Sequence, residues 1–165
     1  MFNRRHPLDL SQAMATCDGN YIRILKLLPD FRLGQQRCFA LPVPGVEDGA
    51  AAGQLVELRV VEQFRYTSCV SMQVRPTGRV SPYYRPPLLQ VRLYHDACTA
   101  EVVSYQQQGA FHVRPRPGEG PEFSSDEKQQ VNALLAEWLT LCLQQGLGGR
   151  HGSAEDPAAA FLQAP

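Results

Sequence analysis

Val91-Arg92-Leu93-Tyr94-His95-Asp96-Ala97, followed at once by Thr99 to Tyr105, is the stretch on which the reading of this chain turns. Apolar residues alternate with polar ones on both sides of Asp96-Ala97, the period-two pattern of half-buried antiparallel strands joined by a tight turn. With the turn placed there, Leu93 faces Ala100 and Val91 faces Val102 on the core side, while Arg92 lies opposite Glu101 on the other face. A slip of one residue would expose Leu93, so the register is well specified. An opposite-charge cross-strand pair of this kind contributes about 0.2–1 kcal/mol. An Arg, a Tyr, a His and an Asp gather around this one turn, a denser polar chemistry than plain scaffolding requires.

The same period continues upstream. Val56, Leu58 and Val60 alternate with Glu57 and Arg59, and Val70, Met72 and Val74 alternate with Ser71, Gln73 and Arg75. A turn centred on Arg65 sets Val60 opposite Val70, Leu58 opposite Met72 and Val56 opposite Val74, so that every inward residue meets another. Arg37 to Leu41 reads as a short strand stopped by Pro42, which has no N–H for a ladder. Glycines and prolines around residues 44–54 mark a mobile loop, and the prolines between Pro76 and Pro87 an irregular connection. Phe111 to Arg114 could add a short edge strand, ended by Pro115.

Two helices bracket the strands. Leu10, Met14, Cys17, Tyr21, Ile24, Leu25 and Leu28 recur at three- and four-residue steps, with Asp9 as cap, Gln12 three residues on and Pro29 as the end. Gly19 inside it costs about 1 kcal/mol against Ala, so this helix depends on packing. Ser124-Ser125-Asp126-Glu127 matches a capping box. Behind it, Val131, Leu134, Leu135, Trp138 and Cys142 form a stripe that predicts burial of Trp138 against the sheet, with Gly146 as the stop. The expected fold is α+β: a single domain over residues 1–146, an antiparallel meander of four to six strands packed on one face by N-terminal and C-terminal helices. Residues 147–165, rich in Gly, Ala and Pro, read as a disordered tail. No internal repeat is visible.

Composition narrows the classes. The 165 residues are 44% hydrophobic and 19% charged, as in globular proteins, and 16 basic residues balance 16 acidic ones. Nucleic-acid binding, which needs a basic footprint, is disfavoured. No run approaches the roughly 18 apolar residues of a membrane span, and no apolar run follows Arg4-Arg5 as a secretory signal would require. The five cysteines are scattered without a CxxC spacing, so reduced thiols in a cytoplasmic protein are expected. His6, His95, His112 and His151 lack a metal-binding spacing, and neither a nucleophile elbow nor a phosphate-cradling glycine loop occurs. No metal or cofactor is therefore expected.

Candidate sites come from the turns and the polar sheet face. His95 with Asp96 has the composition of an imidazole base oriented by a carboxylate. Neighbouring strand residues point to opposite faces, however, so the plainer reading makes Asp96 a turn former and His95 a core-closing side chain. Arg92, Tyr94 and Glu101 share one face and could recognise a small anionic or planar ligand, with Arg65-Tyr66 joining from the other hairpin turn. Asp126 and Glu127 suit a helix N-terminus without any further role. Arg75-Pro76-Thr77-Gly78-Arg79 has the two-arginine spacing of PilZ-type cyclic-dinucleotide sites, but the accompanying Asp/Asn-x-Ser-x-x-Gly strand is missing.

Three segments together resemble the YqiB-like family of small bacterial proteins of unknown function. They are Asn20-Tyr21 leading into Leu27-Leu28-Pro29; Arg65-Tyr66-Thr67 with Val91 to Ala97 and Ala100-Glu101-Val102; and Asp126-Glu127-Lys128 with Gln130, Asn132, Leu135, Trp138-Leu139 and Cys142-Leu143. The resemblance covers most of residues 10 to 146. It implies cytoplasmic residence and a link to nucleotide signalling or turnover, since genes of that family often lie beside those for a Nudix-type pyrophosphatase and a cyclic-nucleotide phosphodiesterase. It carries over no functional residue. The function expected from the sequence is a non-catalytic module that binds a small anionic ligand or a protein. The alternatives are a small enzyme of nucleotide metabolism using His95 and Asp96 as acid and base, or a structural partner of another protein.

Overall fold

In the computed structural model, which describes residues 9–42, 53–77, 83, 86–106 and 125–146, the first element is helix α1 (Leu10–Leu27). Asp9 Oδ1 accepts from the Gln12 amide at 3.2 Å, satisfying a donor that a helix start leaves open. Leu28 leaves the helical conformation one residue before Pro29, where the proline ring disfavours α geometry. Only the later part of the apolar stripe is buried: Tyr21, Ile24, Leu27 and Leu28 enter the core, whereas Leu10 and Met14 are 69% and 59% exposed.

Five strands follow: β1 (Gln36–Pro42), β2 (Gly53–Gln63), β3 (Thr67–Pro76), β4 (Leu88–Tyr94) and β5 (Thr99–Gln106). They pair antiparallel in the order β1-β2-β3-β4-β5, a plain meander. Val56, Leu58 and Val60 lie opposite Val74, Met72 and Val70. Val91, Arg92 and Leu93 lie opposite Val102, Glu101 and Ala100. Both registers match the alternation of the sequence, because inward side chains meet only when both strands keep phase. β2 starts at Gly53, earlier than the alternation from Val56 suggests and inside the stretch expected as loop. Residues 43–52 of that loop lie outside the described residues, as do the expected strand at Phe111 to Arg114, the capping Ser124 and the tail 147–165.

Two irregularities set side-chain phase. Between Val60 and Glu62 an extra residue, Val61, shifts the pairing so that Gln63 rather than Glu62 lies across from Ser68. Gln63 then accepts from the Leu33 amide at 3.0 Å and donates to Phe31 O at 2.8 Å, tying the α1–β1 connection to the sheet. Between Gln90 and Val91 a second shift brings Tyr105 opposite Leu89, where it packs on the core. The α1–β1 connection itself turns through Phe31 and Gly34, both at positive φ (39° and 81°). The Gly34 amide donates to Val60 O at 2.9 Å, a conformation that favours glycine.

Helix α2 (Ser125–Gly146) packs on the same face of the sheet as α1, touching α1 and both edge strands, β1 and β5. Leu135, Leu139 and Cys142 are its fully buried residues. Trp138 is half-buried at the margin of the stripe instead of at its centre. The reason is Asn132, which is buried at the head of the stripe and sets the rotation of the helix. Its Oδ1 accepts from the Val102 amide of β5 at 2.8 Å, and its Nδ2 donates to Lys128 O at 3.0 Å. Its own carbonyl accepts from Asn20 Nδ2 of α1 at 3.1 Å, and Asn20 Oδ1 accepts from Arg23 Nη1.

Two stability measurements check this packing. Asn132→Ala should lower the free energy of unfolding in urea by about 1–3 kcal/mol, because it strands a buried amide of an edge strand. Leu139→Ala should cost about 2–5 kcal/mol and Trp138→Ala distinctly less, in keeping with the order of their burial.

Candidate functional site

The turn after β4 carries His95, and the fold brings partners to it from distant segments. Its Nδ1 lies 3.1 Å from the Tyr21 hydroxyl of α1, and its Nε2 lies 2.8 Å from Ser68 Oγ of β3. A neutral imidazole holds both at once, one nitrogen accepting and the other donating. The rings of Tyr21 and Phe31 meet it edge-on at 5.9 and 5.6 Å. Its backbone is tied as well: its amide donates to Tyr66 O at 2.8 Å, and Cys98, at φ 53°, sends its thiol toward His95 O at 3.6 Å.

Ser, His and a third orienting group are the ingredients of an activated nucleophile. Ser68, however, is 2% exposed and Tyr21 is 9% exposed, so Ser68 Oγ meets protein where a substrate would have to sit. Asp96 is exposed at the turn and makes no contact with the imidazole. The structure therefore does not bring His95 and Asp96 together; it brings together His95, Tyr21 and Ser68, and closes the core with them.

On the open face of the sheet Arg92 is exposed. Glu101 is its cross-strand neighbour, yet the carboxylate turns elsewhere. Oε1 accepts from the Tyr94 hydroxyl at 3.1 Å, and Oε2 sits 2.7 Å from Lys128 Nζ of α2. Partial burial, followed by the nearby Glu101 carboxylate, raises the pKa of Tyr94, so its hydroxyl stays a donor. Arg65 stacks over Tyr66 at 5.1 Å in the β2–β3 turn, next to the end of β4 through the pairing of Thr67 with Tyr94. Arg92, Tyr94, Glu101 and the Arg65–Tyr66 pair thus share one corner of the molecule. Farther along this face Arg75 reaches Glu57 at 3.8 Å and Gln73.

Glu101 also stands at the end of a groove of about 470 Å³. One wall is the exposed start of the α1 stripe: Leu10, Ala13, Met14 and Cys17. The other wall is Lys128, Gln129 and Asn132 of α2, and Ala97, Thr99 and Glu101 close the end. The two helices meet at Asn20 and Asn132, and the groove lies on the N-terminal side of that joint. Burial, then the Glu101 carboxylate, raises the pKa of Cys17, which keeps it a thiol and an apolar element of the wall. Among the described residues no three His, Cys, Asp or Glu side chains converge on a point that could hold a metal ion.

A family profile described as "Protein of unknown function (DUF1249)" matches residues 23–148. The chain belongs to the DUF1249 family. Similar proteins include the "Uncharacterized protein YqiB" of Escherichia coli K12 and its counterparts in the O6:H1 and O157:H7 strains. Each is 33% identical over 144 residues, 87% of this chain and 94% of its own length. No solved structure matches.

For this DUF1249 chain, sequence reasoning found His95 and Glu101 and missed what surrounds them. Ser68 and Tyr21 are distant in sequence from His95, and Lys128 belongs to another element than Glu101. The usable signal was phase: Ser68 sits at an inward position beside Val70 and Met72, where a serine needs a buried partner. His95→Ala should lower stability by about 1–3 kcal/mol in urea unfolding, through two lost hydrogen bonds and a cavity. Asp96→Ala should change it by no more than about 0.5 kcal/mol.

Proposed function

We propose that this DUF1249 protein is a non-catalytic binding module that receives its ligand or partner in the groove between the N-terminal halves of α1 and α2. The observation that carries this reading is the exposure of Leu10 and Met14 along one wall of that concavity. Apolar side chains gathered on a concave surface with polar groups at its end are the usual form of a binding site. A catalytic reading has less support, because both ring nitrogens of His95 are held by core hydroxyls and Asp96 lies apart from them. Lys128 could serve an anionic ligand only by giving up Glu101, so the groove favours an occupant that is apolar or cationic.

A second reading rests on Arg92, which is exposed and pairs with no carboxylate among the described residues although Glu101 is its cross-strand neighbour. With Tyr94 beside it and Arg65–Tyr66 at the same corner, it could hold a planar anionic ligand such as a nucleotide. Amide chemical-shift mapping separates the two readings. Titration with octanol, a neutral amphiphile, should move residues 10–18, 97–101 and 128–132 and leave β4 near Arg92 unchanged. Titration with ATP or cyclic AMP should leave the groove unchanged. Shifts confined to Arg65, Tyr66, Arg92 and Tyr94 on adding a nucleotide, with a silent groove in octanol, would replace the first reading by the second.

A further inference from the structure

Two carboxylates line the groove, Asp18 from α1 and Glu101 from the hairpin. Asp126 stands in the first turn of α2, three residues before Gln129, and Asp9 caps α1 at Leu10. Lys128 is the one basic residue among the described residues lining it, and its ammonium lies 2.7 Å from Glu101 Oε2, so Asp18 has no ion pair among the described residues. The apolar wall runs at helical spacing, Leu10, Ala13, Met14, Cys17, and faces a second helix. A space of about 470 Å³ between two helix walls takes a row of side chains rather than a folded domain.

We infer that the groove docks a basic amphipathic helix of a partner protein, its apolar row seated on Leu10, Ala13, Met14 and Cys17 and its flanking Lys or Arg side chains meeting Asp18 and Asp126. Anchors at three- and four-residue steps are how a helix fills a groove, and opposite charge on the rim sets its orientation and speeds encounter. A second copy of this chain is the poorer occupant, because α1 and α2 each present a carboxylate at this end, Asp18 on one and Asp126 on the other. An anionic amphiphile would meet the same carboxylates. The inference rests on the groove being the binding site and adds to that reading the class of partner.

The probe is a synthetic peptide with Leu at helical three- and four-residue spacing and Lys on both flanks, added to the full chain and followed by fluorescence anisotropy. Two controls share its design: one carries Glu for Lys, and one is a scramble of the same composition. The Lys peptide should bind about tenfold or more tighter than either control and should weaken as salt rises. Ala13→Trp, which fills the groove, and Met14→Asp should each abolish binding while leaving the melting temperature within a few degrees. Exchanging Asp18 and Asp126 for Lys should reverse the preference toward the Glu peptide. Equal binding of all three peptides, or binding indifferent to Ala13→Trp and Met14→Asp, would overturn the inference. So would a self-associated chain that Met14→Asp converts to monomer, which names a second copy as occupant. If octanol shifts the groove residues but no peptide binds, the helix partner falls and the binding groove stands; if neither acts there, both fall.

Discussion

The fold hangs on a buried amide joint. Asn132 is a polar residue in the apolar stripe of a helix, a position that normally destabilises. Here its side chain satisfies the Val102 amide of β5, the edge strand among the described residues, while its backbone carbonyl accepts from Asn20 of α1. The Asn132 side chain thereby satisfies an edge-strand donor and sets how far α2 is rotated, while the Asn20 side chain, bonded to the Asn132 carbonyl, sets where α1 crosses it. Two helices held only by leucines could slide or roll with little change in contact. Directional hydrogen bonds between two asparagines and a strand amide allow one arrangement. The half-burial of Trp138 and the full burial of Leu135, Leu139 and Cys142 follow from that rotation.

The groove is a consequence of the same joint. Because α1 and α2 are pinned at Asn20 and Asn132, their earlier turns flank a space that the sheet does not fill. The stripe of α1 continues into this space unchanged in character, so Leu10 and Met14 remain apolar where Tyr21 and Ile24 are buried. Lys128 and Glu101 then link the wall of the groove to the open sheet face through Tyr94.

His95 plays a corresponding part beside it, at the neighbouring Tyr21 of α1. It fastens the β4–β5 turn to the helix through Tyr21 and to β3 through Ser68, with Phe31 packed against its ring. Two residues in the left-handed region, Phe31 and Cys98, belong to the segments that touch it. Their strained backbone is held because the surrounding bonds leave the turn no alternative. The chemistry that makes His95 conspicuous is thus that of a half-buried side chain that satisfies the hydroxyls of Tyr21 and the buried Ser68.

Alternation at period two was enough to determine the central strands, their pairing and which residues face the core, since a half-buried sheet tolerates no slip between Val60 and Val70 or between Val91 and Val102. Asp9 and Pro29 likewise marked the ends of α1 by local chemistry alone. Phase after a bulge was not legible, because Val61 inserts a residue that no periodicity announces. Nor was the rotation of α2, where the stripe fitted Trp138 as well as Leu139 until Asn132 was given a strand to bind. Tyr21 reaches His95 across 74 positions and Asn20 reaches Asn132 across 112, and nothing local encodes such contacts. Strand identity and register follow from neighbours along the chain. The helix joint, the held imidazole and the groove exist only once distant side chains share a surface, and were decided by the tertiary structure alone.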